Sequence, residues 1–220
     1  MVRNGLTLAL DAGDSQSYPR SGTSWFDLSR NNGTCTLYGS PSYSVSNLGS
    51  LNFNGTSQYA DILDSSFVNF TTGTVSVWFV CSSAPSSVAV IDRGSSTNST
   101  EGWYVVISGA RAVTCGYKDT GTVYNANGGS VTFGRWHNTT FTFSSGGSLS
   151  AYFDGNFISN VSIPTVTITP SRIGIIKSVN ANFYPNPMSG SISSVHLYNR
   201  VLTRQEVSQN FNALRGRFGV

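Results

Sequence analysis

The run Leu-Ser-Ala-Tyr-Phe-Asp-Gly-Asn-Phe-Ile at residues 149–158 decides the fold of this chain. Apolar and polar side chains alternate on both sides of Asp154 and Gly155, and such alternation is typical of a half-buried β-strand. The tight turn of a hairpin needs positive φ angles, which glycine adopts without steric cost, so Asp-Gly is a strong hairpin signal. We therefore predict two antiparallel strands joined at Asp154 and Gly155, after an earlier strand entered at Trp136.

Short segments of the same character recur along the whole chain. They are separated by Gly, Pro, Asn and Ser, the residues that dominate turns. The predicted strands cover residues 6–10, 34–38, 50–53, 59–62, 75–80, 88–91, 102–108, 112–117, 122–124, 139–143, 148–153, 166–169, 172–176 and 190–198. Residues 11–30 are predicted to form a long surface loop that Trp25, Phe26 and Leu28 pin to the core. Many short strands without a dividing linker predict an all-β, two-sheet antiparallel sandwich in a single domain, residues 1–220.

One helix is predicted near the C-terminus, with the helix and tail occupying about residues 203–220. Thr203 and Glu206 have the spacing of a capping box, in which each satisfies a backbone N–H of the other. Val207, Phe211 and Leu214 then fall on one face of the helix. Gly216 is the residue expected to end it.

The composition excludes several classes of protein. Only 10% of the residues are charged, the net charge is +3, and Lys and Arg do not cluster, so we expect no nucleic-acid partner. No stretch approaches the ~18 apolar residues of a membrane span. The first residues lack the apolar segment of a signal peptide. Cys35, Cys81 and Cys115 are widely spaced, which favours reduced thiols within strands over a disulfide framework.

The carboxylates argue against catalysis. The chain has ten of them, and Glu101 and Glu206 are the two glutamates. A retaining glycoside hydrolase needs two carboxyl groups about 5 Å apart, and no predicted strand carries alternating acids. We therefore predict that the protein is not an enzyme, with glycoside hydrolysis as the catalytic alternative.

Two short stretches carry the candidate ligand-binding residues. Asp61 and Asp64 are three positions apart, after the Tyr-Ala pair that begins the predicted strand 59–62, and they suit a cation or the hydroxyl groups of a sugar; the alternative is a solvated strand end. Tyr184 and Asn186 lie in a loop rich in Asn and Pro. Flat aromatic faces and amide groups are what sugar recognition uses, although aromatic residues also anchor loops to a core.

Five segments together resemble laminin G-like domains of the concanavalin A-like lectin/glucanase superfamily. They are residues 51–60, 74–79, 136–158, 172–174 and 190–203, in the order of the family. The resemblance implies a concanavalin A-like jelly roll, a fold that serves enzymes, lectins and scaffolds alike. It also implies a structural Ca²⁺ held by an acid of the last strand. Ser193 and Ser194 stand at that position here, which leaves Asp11 and Asp61 as candidate metal ligands.

The two ends of the chain resemble laminin G-like structural proteins of tailed bacteriophages, over residues 5–18 and 209–220. This implies a non-enzymatic virion protein, assembled in the host cytoplasm, that decorates the capsid or belongs to the tail. Its partners would be other virion proteins, further copies of itself as a homo-oligomer, and cell-surface glycans. Arg215, Arg217 and Phe218 are the predicted docking residues, because guanidinium and aromatic groups are enriched at interfaces. The alternative is a lectin-like module outside a virion.

Overall fold

The computed structural model describes residues 1–63, 66–84, 86–94, 102–119, 121–166, 171–177 and 186–220. Within these ranges the chain forms β-strands and one α-helix. The elements are β1 (Leu6–Asp11), β2 (Ser24–Phe26), β3 (Thr34–Tyr38), β4 (Ser42–Ser44), β5 (Ser50–Asn54), β6 (Tyr59–Ile62), β7 (Thr72–Ser83), β8 (Val88–Gly94), β9 (Gly102–Ile107), β10 (Ala112–Asp119), β11 (Thr122–Ser130), β12 (Trp136–Ser144), β13 (Ser148–Phe153), β14 (Asn156–Ser162), β15 (Arg172–Ile175), β16 (Asn186–Pro187), β17 (Ser189–Tyr198) and α1 (Arg204–Phe218).

Two sheets form the layers of a sandwich. Sheet A has the strand order β14-β13-β12-β7-β17-β5-β4, with β1 also paired to β17. Sheet B has the order β11-β10-β9-β8-β15-β6-β3-β2, with the short β16 parallel to β8. The other pairings are antiparallel, so the predicted all-β sandwich with a C-terminal helix is confirmed.

The hairpin that decided the prediction is present. Strands β13 and β14 pair antiparallel, with Phe153 opposite Asn156. Asp154 has φ 46° and Gly155 has φ 77°, so both turn residues adopt the positive φ that this type of turn requires.

The inner faces of the two sheets meet in one apolar cluster. Trp103 of sheet B contacts Phe141 and Phe143 of sheet A, with ring centroids 5.6 and 6.5 Å apart. All three side chains are fully buried. Fully burying a side chain such as Phe stabilises a fold by roughly 1.5–3 kcal/mol relative to leaving it exposed, so this cluster carries much of the stability.

The helix begins as predicted and ends later. The Thr203 side chain accepts from the Glu206 backbone N–H while the Glu206 carboxylate accepts from the Thr203 N–H, which confirms the capping box. The predicted end at Gly216 is wrong, because the helix continues to Phe218 and Gly219 forms the left-handed C-cap with φ 67°. The last turn is held in place by Phe218, whose ring stacks on Trp78 of β7 with centroids 4.2 Å apart.

The loop of residues 11–30 is anchored by fewer side chains than expected. It is interrupted by β2, in which Trp25 is fully buried. Phe26 and Leu28 were predicted to anchor it as well, but both are exposed. Successive side chains of a strand point to opposite faces, so burying Trp25 turns Phe26 towards solvent. Among the described residues, the helical segments lack the length and apolarity that a membrane crossing requires.

Candidate functional site

A row of residues in mutual register crosses the outer face of sheet B. Their chain neighbours, such as Ala60, Ile62, Ile173 and Ile175, belong to the core, so the row itself faces away from it. From β3 to β11 the row is Thr36, Asp61, Gly174, Asp92, Tyr104, Gly116 and Asn125. We call it the polar row.

Tyr104 lies flat across the strand beside it because that strand contributes a glycine. A Cβ added to Gly116 would come within 2.1 Å of the Tyr104 ring. With only hydrogen there, the Tyr104 hydroxyl reaches over β10 and donates to Oδ1 of Asn125 at 2.6 Å. Gly116 is therefore required for the shape of this part of the row.

Asp61 is the least satisfied residue of the polar row. Its side chain is buried, with 6% of the residue exposed. Oδ2 accepts from Nη1 of Arg172 at 3.2 Å, whereas Oδ1 is buried and has no hydrogen-bond partner among the described residues. Burial raises the pKa of Asp61, and the hydrogen bond from Arg172 and the charges of Arg172 and Lys177 oppose that rise. A buried acceptor without a donor costs about 1–3 kcal/mol, so Asp61 is poised to accept from a ligand.

An accessible patch lies next to Asp61. Tyr38 and Tyr59 stack with ring centroids 4.6 Å apart and planes inclined by 13°. The Lys177 ammonium lies 4.1 Å from the centroid of Tyr59. The side chain of Arg172 is 44% exposed, so its guanidinium can contact both Asp61 and a bound molecule. We call Tyr38, Tyr59, Asp61, Arg172 and Lys177 the tyrosine patch.

Asp92 is a second carboxylate of the row that sequence reasoning did not pair with Asp61. The two residues are 31 positions apart (92 − 61). Both are opposite Gly174 of β15, one on each side of that strand, so their Cα atoms lie about 10 Å apart. The register of β6, β15 and β8 brings the two residues near each other, and no local sequence motif predicts this arrangement. Two carboxylates on one face are also a requirement of glycoside hydrolysis, which makes hydrolysis a question for experiment.

The structure brings one of the four predicted ligand-binding residues into this site. Asp61 lies at its centre. Asn186, in β16, donates to the Ser86 hydroxyl at 2.9 Å near the edge of sheet B and is not part of the polar row. Asp64 and Tyr184 lie outside the described residues.

The two candidate metal ligands are in different sheets. Among the described residues, no group of three or more His, Cys, Asp or Glu is placed to hold a metal ion. Asp61 pairs with Arg172 in sheet B. Asp11, in sheet A, accepts from Nη1 of Arg217 with both carboxylate oxygens, at 2.8 and 2.9 Å.

The guanidinium of Arg217 is surrounded by oxygen atoms. Besides Asp11, it donates to the carbonyl of Asn47 at 2.6 Å, the carbonyl of Gly49 at 2.8 Å and the hydroxyl of Ser193 at 2.7 Å. Carboxylate and carbonyl oxygens are the ligands of a hard cation. Here the positive charge comes from the side chain of Arg217. We call this arrangement the guanidinium cage.

The predicted docking residues have different surroundings. Arg217 is held in the guanidinium cage, and Phe218 is buried between Trp78 and Trp136 at centroid distances of 4.2 and 4.7 Å. Both fasten the end of α1 to sheet A. Arg215 is exposed and is the member of the set available to a partner.

Comparison with known families agrees with this architecture. Residues 54–208 match a laminin G family model described as the concanavalin A-like lectin/glucanases superfamily. The match covers more than half of the chain, and the protein belongs to this superfamily. None of the curated proteins compared with the chain matches it.

Solved structures share the fold at low sequence identity. Domain 4 of AbnA, a GH43 extracellular arabinanase from Geobacillus stearothermophilus solved with arabinotriose, has a TM-score of 0.76 and 17% identity over 94% of this chain and 98% of that chain. The binding domain of Paraclostridial Mosquitocidal Protein 1 has a TM-score of 0.74 and 17% identity over 95% of this chain and 52% of that one. The binding domain of Botulinum Neurotoxin DC in complex with SialylT has a TM-score of 0.73 and 13% identity over 97% and 52%. This chain thus spans about half the length of the toxin binding domains.

Proposed function

We propose that the protein is a non-catalytic glycan-binding domain whose binding surface is the tyrosine patch and the adjoining polar row. The observation that carries the proposal is the buried Oδ1 of Asp61, which lies beside an exposed guanidinium and a stacked tyrosine pair and accepts no hydrogen bond within the described part of the chain. Sugar hydroxyls can donate to such a carboxylate and accept from Arg172, while the apolar face of a sugar ring packs on an aromatic ring.

The comparisons support this proposal at the level of fold. The arabinanase domain was solved with arabinotriose and a toxin binding domain with SialylT. Each of these is a statement about that protein. The residues that would bind a sugar in this chain are argued from its own tyrosine patch.

A glycan array screened with the purified protein, followed by calorimetric titration of the best sugar, tests the proposal. Asp61→Asn keeps the size of the side chain and removes its charge, and Tyr38→Ala removes an exposed ring. We expect each variant to weaken binding at least tenfold. The matched control is Gln209→Glu, which makes the reverse exchange of an amide and a carboxylate at an exposed position of α1 and should bind as the original protein does.

Three results would contradict the proposal. The first is the absence of binding to any glycan on the array. The second is an unchanged affinity of Asp61→Asn for the best sugar. The third is the release of shorter sugars from a bound polysaccharide, because two carboxylates would then be acting as acid and base. In that case Asp61→Asn and Asp92→Asn should each abolish hydrolysis.

We further propose that the domain is part of a bacteriophage virion, as capsid decoration or a tail component, and contacts other virion proteins and further copies of itself. The resemblance of residues 5–18 and 209–220 to phage structural proteins supports this assignment. Mass spectrometry of purified particles tests this assignment, and we expect to detect the protein in mature virions. We also expect its gene to lie next to capsid or tail genes. Neighbouring genes for polysaccharide utilisation would instead favour a lectin-like module outside a virion.

A further inference from the structure

A second concave site lies on the opposite side of the sandwich from the tyrosine patch. It is a cavity of about 740 Å³ between the N-terminal segment, β1 and the loop that follows β2. Ligand pockets typically have about 300–1,000 Å³, so this volume suits one or two sugar rings. The walls include the apolar side chains of Leu6 and Leu28 together with Ser29.

The cavity forms where α1 does not cover the outer face of sheet A and where the outward-facing residue, Ala9, has a small side chain. Ala9 of β1 is opposite His196 of β17, and both side chains are outside the core cluster to which their chain neighbours belong. The outer face further along is covered by α1, which packs on Trp78. Leu28 donates its backbone N–H to the carbonyl of Ala9, which fixes the loop that forms one wall.

His196 is a buried polar group that faces this cavity without a partner. It is 4% exposed and lines the cavity. Among the described residues, no group hydrogen-bonds its imidazole. Burial lowers its pKa to about 4; Asp11 and Asp27 oppose the shift, and Arg217 and the N-terminal ammonium add to it. The ring is therefore neutral at pH 7, with one nitrogen that donates and one that accepts.

The mouth of the cavity carries an excess of positive charge. Arg3 and Arg30 line it, both are exposed, and neither forms an ion pair with any described residue. Asp11 is already neutralised by Arg217, and one oxygen of Asp14 accepts the backbone N–H of Gln16. The cavity lining thus contains two guanidinium groups without an ion pair, those of Arg3 and Arg30, and one carboxylate without an ion pair, that of Asp14, within the described part of the chain. A guanidinium fork matches the two oxygens of a carboxylate, which makes an anionic group the complementary ligand.

We propose that this cavity is a second binding site, for a ligand that combines a carboxylate with several hydroxyl groups, the chemistry of an acidic sugar. Arg3 and Arg30 bind the carboxylate at the mouth. His196 and Asp14 exchange hydrogen bonds with the hydroxyls, and Leu6 and Leu28 contact the apolar face of the ring. The proposal is independent of the tyrosine patch, since the two sites lie on opposite sheets.

The test is a titration of the purified protein with matched acidic and neutral sugars, followed by two-dimensional NMR of the backbone amides. Glucuronic acid and N-acetylneuraminic acid are the acidic probes, and glucose and N-acetylglucosamine are the neutral ones. We expect the acidic probes to bind at least tenfold more tightly and to shift the amides of Ala9, Ser29 and His196. Inorganic phosphate should bind at least tenfold more weakly than the acidic sugars.

The variants separate this cavity from the other face. Arg3→Gln combined with Arg30→Gln alters two exposed side chains and should weaken the acidic probes at least tenfold, and His196→Gln should weaken them as well. Arg135→Gln, an exposed arginine far along the chain and outside the cavity lining, is the control and should have no effect. Should His196→Gln fail to fold, the exposed double variant still decides the question.

Several outcomes would overturn the inference. They are equal affinity for neutral and acidic sugars, phosphate binding as tightly as the sugars, or an unaffected double arginine variant. Loss of acidic-sugar binding in Asp61→Asn would place the ligand on the tyrosine patch instead, and would refute the second site while supporting the proposed function.

Discussion

Two outer-face regions, the part of sheet A under α1 and the tyrosine patch of sheet B, use polar residues in opposite ways. Under α1, the outer face of sheet A has a closed network: Asn138 donates to the Ser76 hydroxyl and the Val77 carbonyl, both at 3.1 Å, and Thr140 donates to Ser76 at 2.8 Å. On sheet B, Asp61 is also buried, but one of its oxygens has no donor among the residues that the structure describes. A satisfied polar network stabilises a fold, whereas an unsatisfied acceptor is costly unless a ligand completes it. The difference indicates that the part of sheet A under α1 supports structure, whereas the tyrosine patch of sheet B supports binding.

The strongest way to break this comparison is to remove the apolar anchor of sheet A. Trp78→Ala should lower the free energy of unfolding by about 3–5 kcal/mol, because the ring is buried between Phe211 and Phe218. Denaturant unfolding measures the change. The control is Val45→Ala, an exposed apolar residue, which should change stability by less than about 0.5 kcal/mol. A loss below about 1 kcal/mol for Trp78→Ala would mean that α1 does not depend on this contact.

Opening the guanidinium cage should have the next largest effect. Arg217→Ala removes the ion pair of Asp11 and the guanidinium donors of the Asn47 and Gly49 carbonyls, while Asp11 keeps the Gly13 N–H and Gly49 keeps the Ser193 hydroxyl. Removing one partner of a buried ion pair costs about 3–5 kcal/mol, and we expect about 2–3 here because Asp11 is partly exposed. Thermal unfolding compares it with Arg215→Ala, an exposed arginine two residues earlier that should be neutral. Equal effects of the two variants would refute the role given to the cage.

The pH dependence of stability sharpens the comparison further. The pKa of His196 is about 4 in the folded protein, against an ordinary value of 6.5. The unfolded chain therefore binds the additional proton between these values, so the contribution is complete above pH 6.5 and is lost as the pH falls towards 4. Its size is of the order of 3 kcal/mol. We expect unfolding free energies measured from pH 7 to pH 4 to fall less steeply in His196→Gln, and parallel curves would contradict the assignment.

The smallest change in stability is expected at Asp61. Asp61→Asn removes a buried charge that lacks a full set of partners and also weakens its pairing with Arg172. These effects oppose each other, and the net change should be within about 1 kcal/mol. Glycan binding should nevertheless fall at least tenfold. A large loss of stability would show that Asp61 supports the sheet and would remove the contrast between the two faces.

The sequence predicts a feature well when that feature depends on residues close together in the chain, and poorly when it depends on contacts between distant residues. The hairpin at Asp154 and Gly155 and the start of α1 at Thr203 depend on residues a few positions apart, and both are present as predicted. The end of α1 was misplaced at Gly216, because the contact that extends the helix joins Phe218 to a strand 140 residues earlier (218 − 78).

The candidate sites depend on longer-range arrangements. Asp61 was identified from its position near the end of a predicted strand, but its ion-pair partner Arg172 and its row neighbour Asp92 are brought near it by strand register, which alternation alone does not specify. Arg217 was predicted to dock a partner protein, because its intramolecular partner Asp11 is 206 positions away and no local pattern links the two. The cavity around His196 also requires three separate segments to come together.

The guanidinium cage has a consequence for where the domain can work. A contact mediated by a bound metal ion is lost when the ion is diluted or chelated. The positive charge on Arg217 is part of the polypeptide and cannot dissociate from it. The attachment of the end of α1 to sheet A therefore does not depend on the concentration of divalent cations, and a chelating agent should leave it intact.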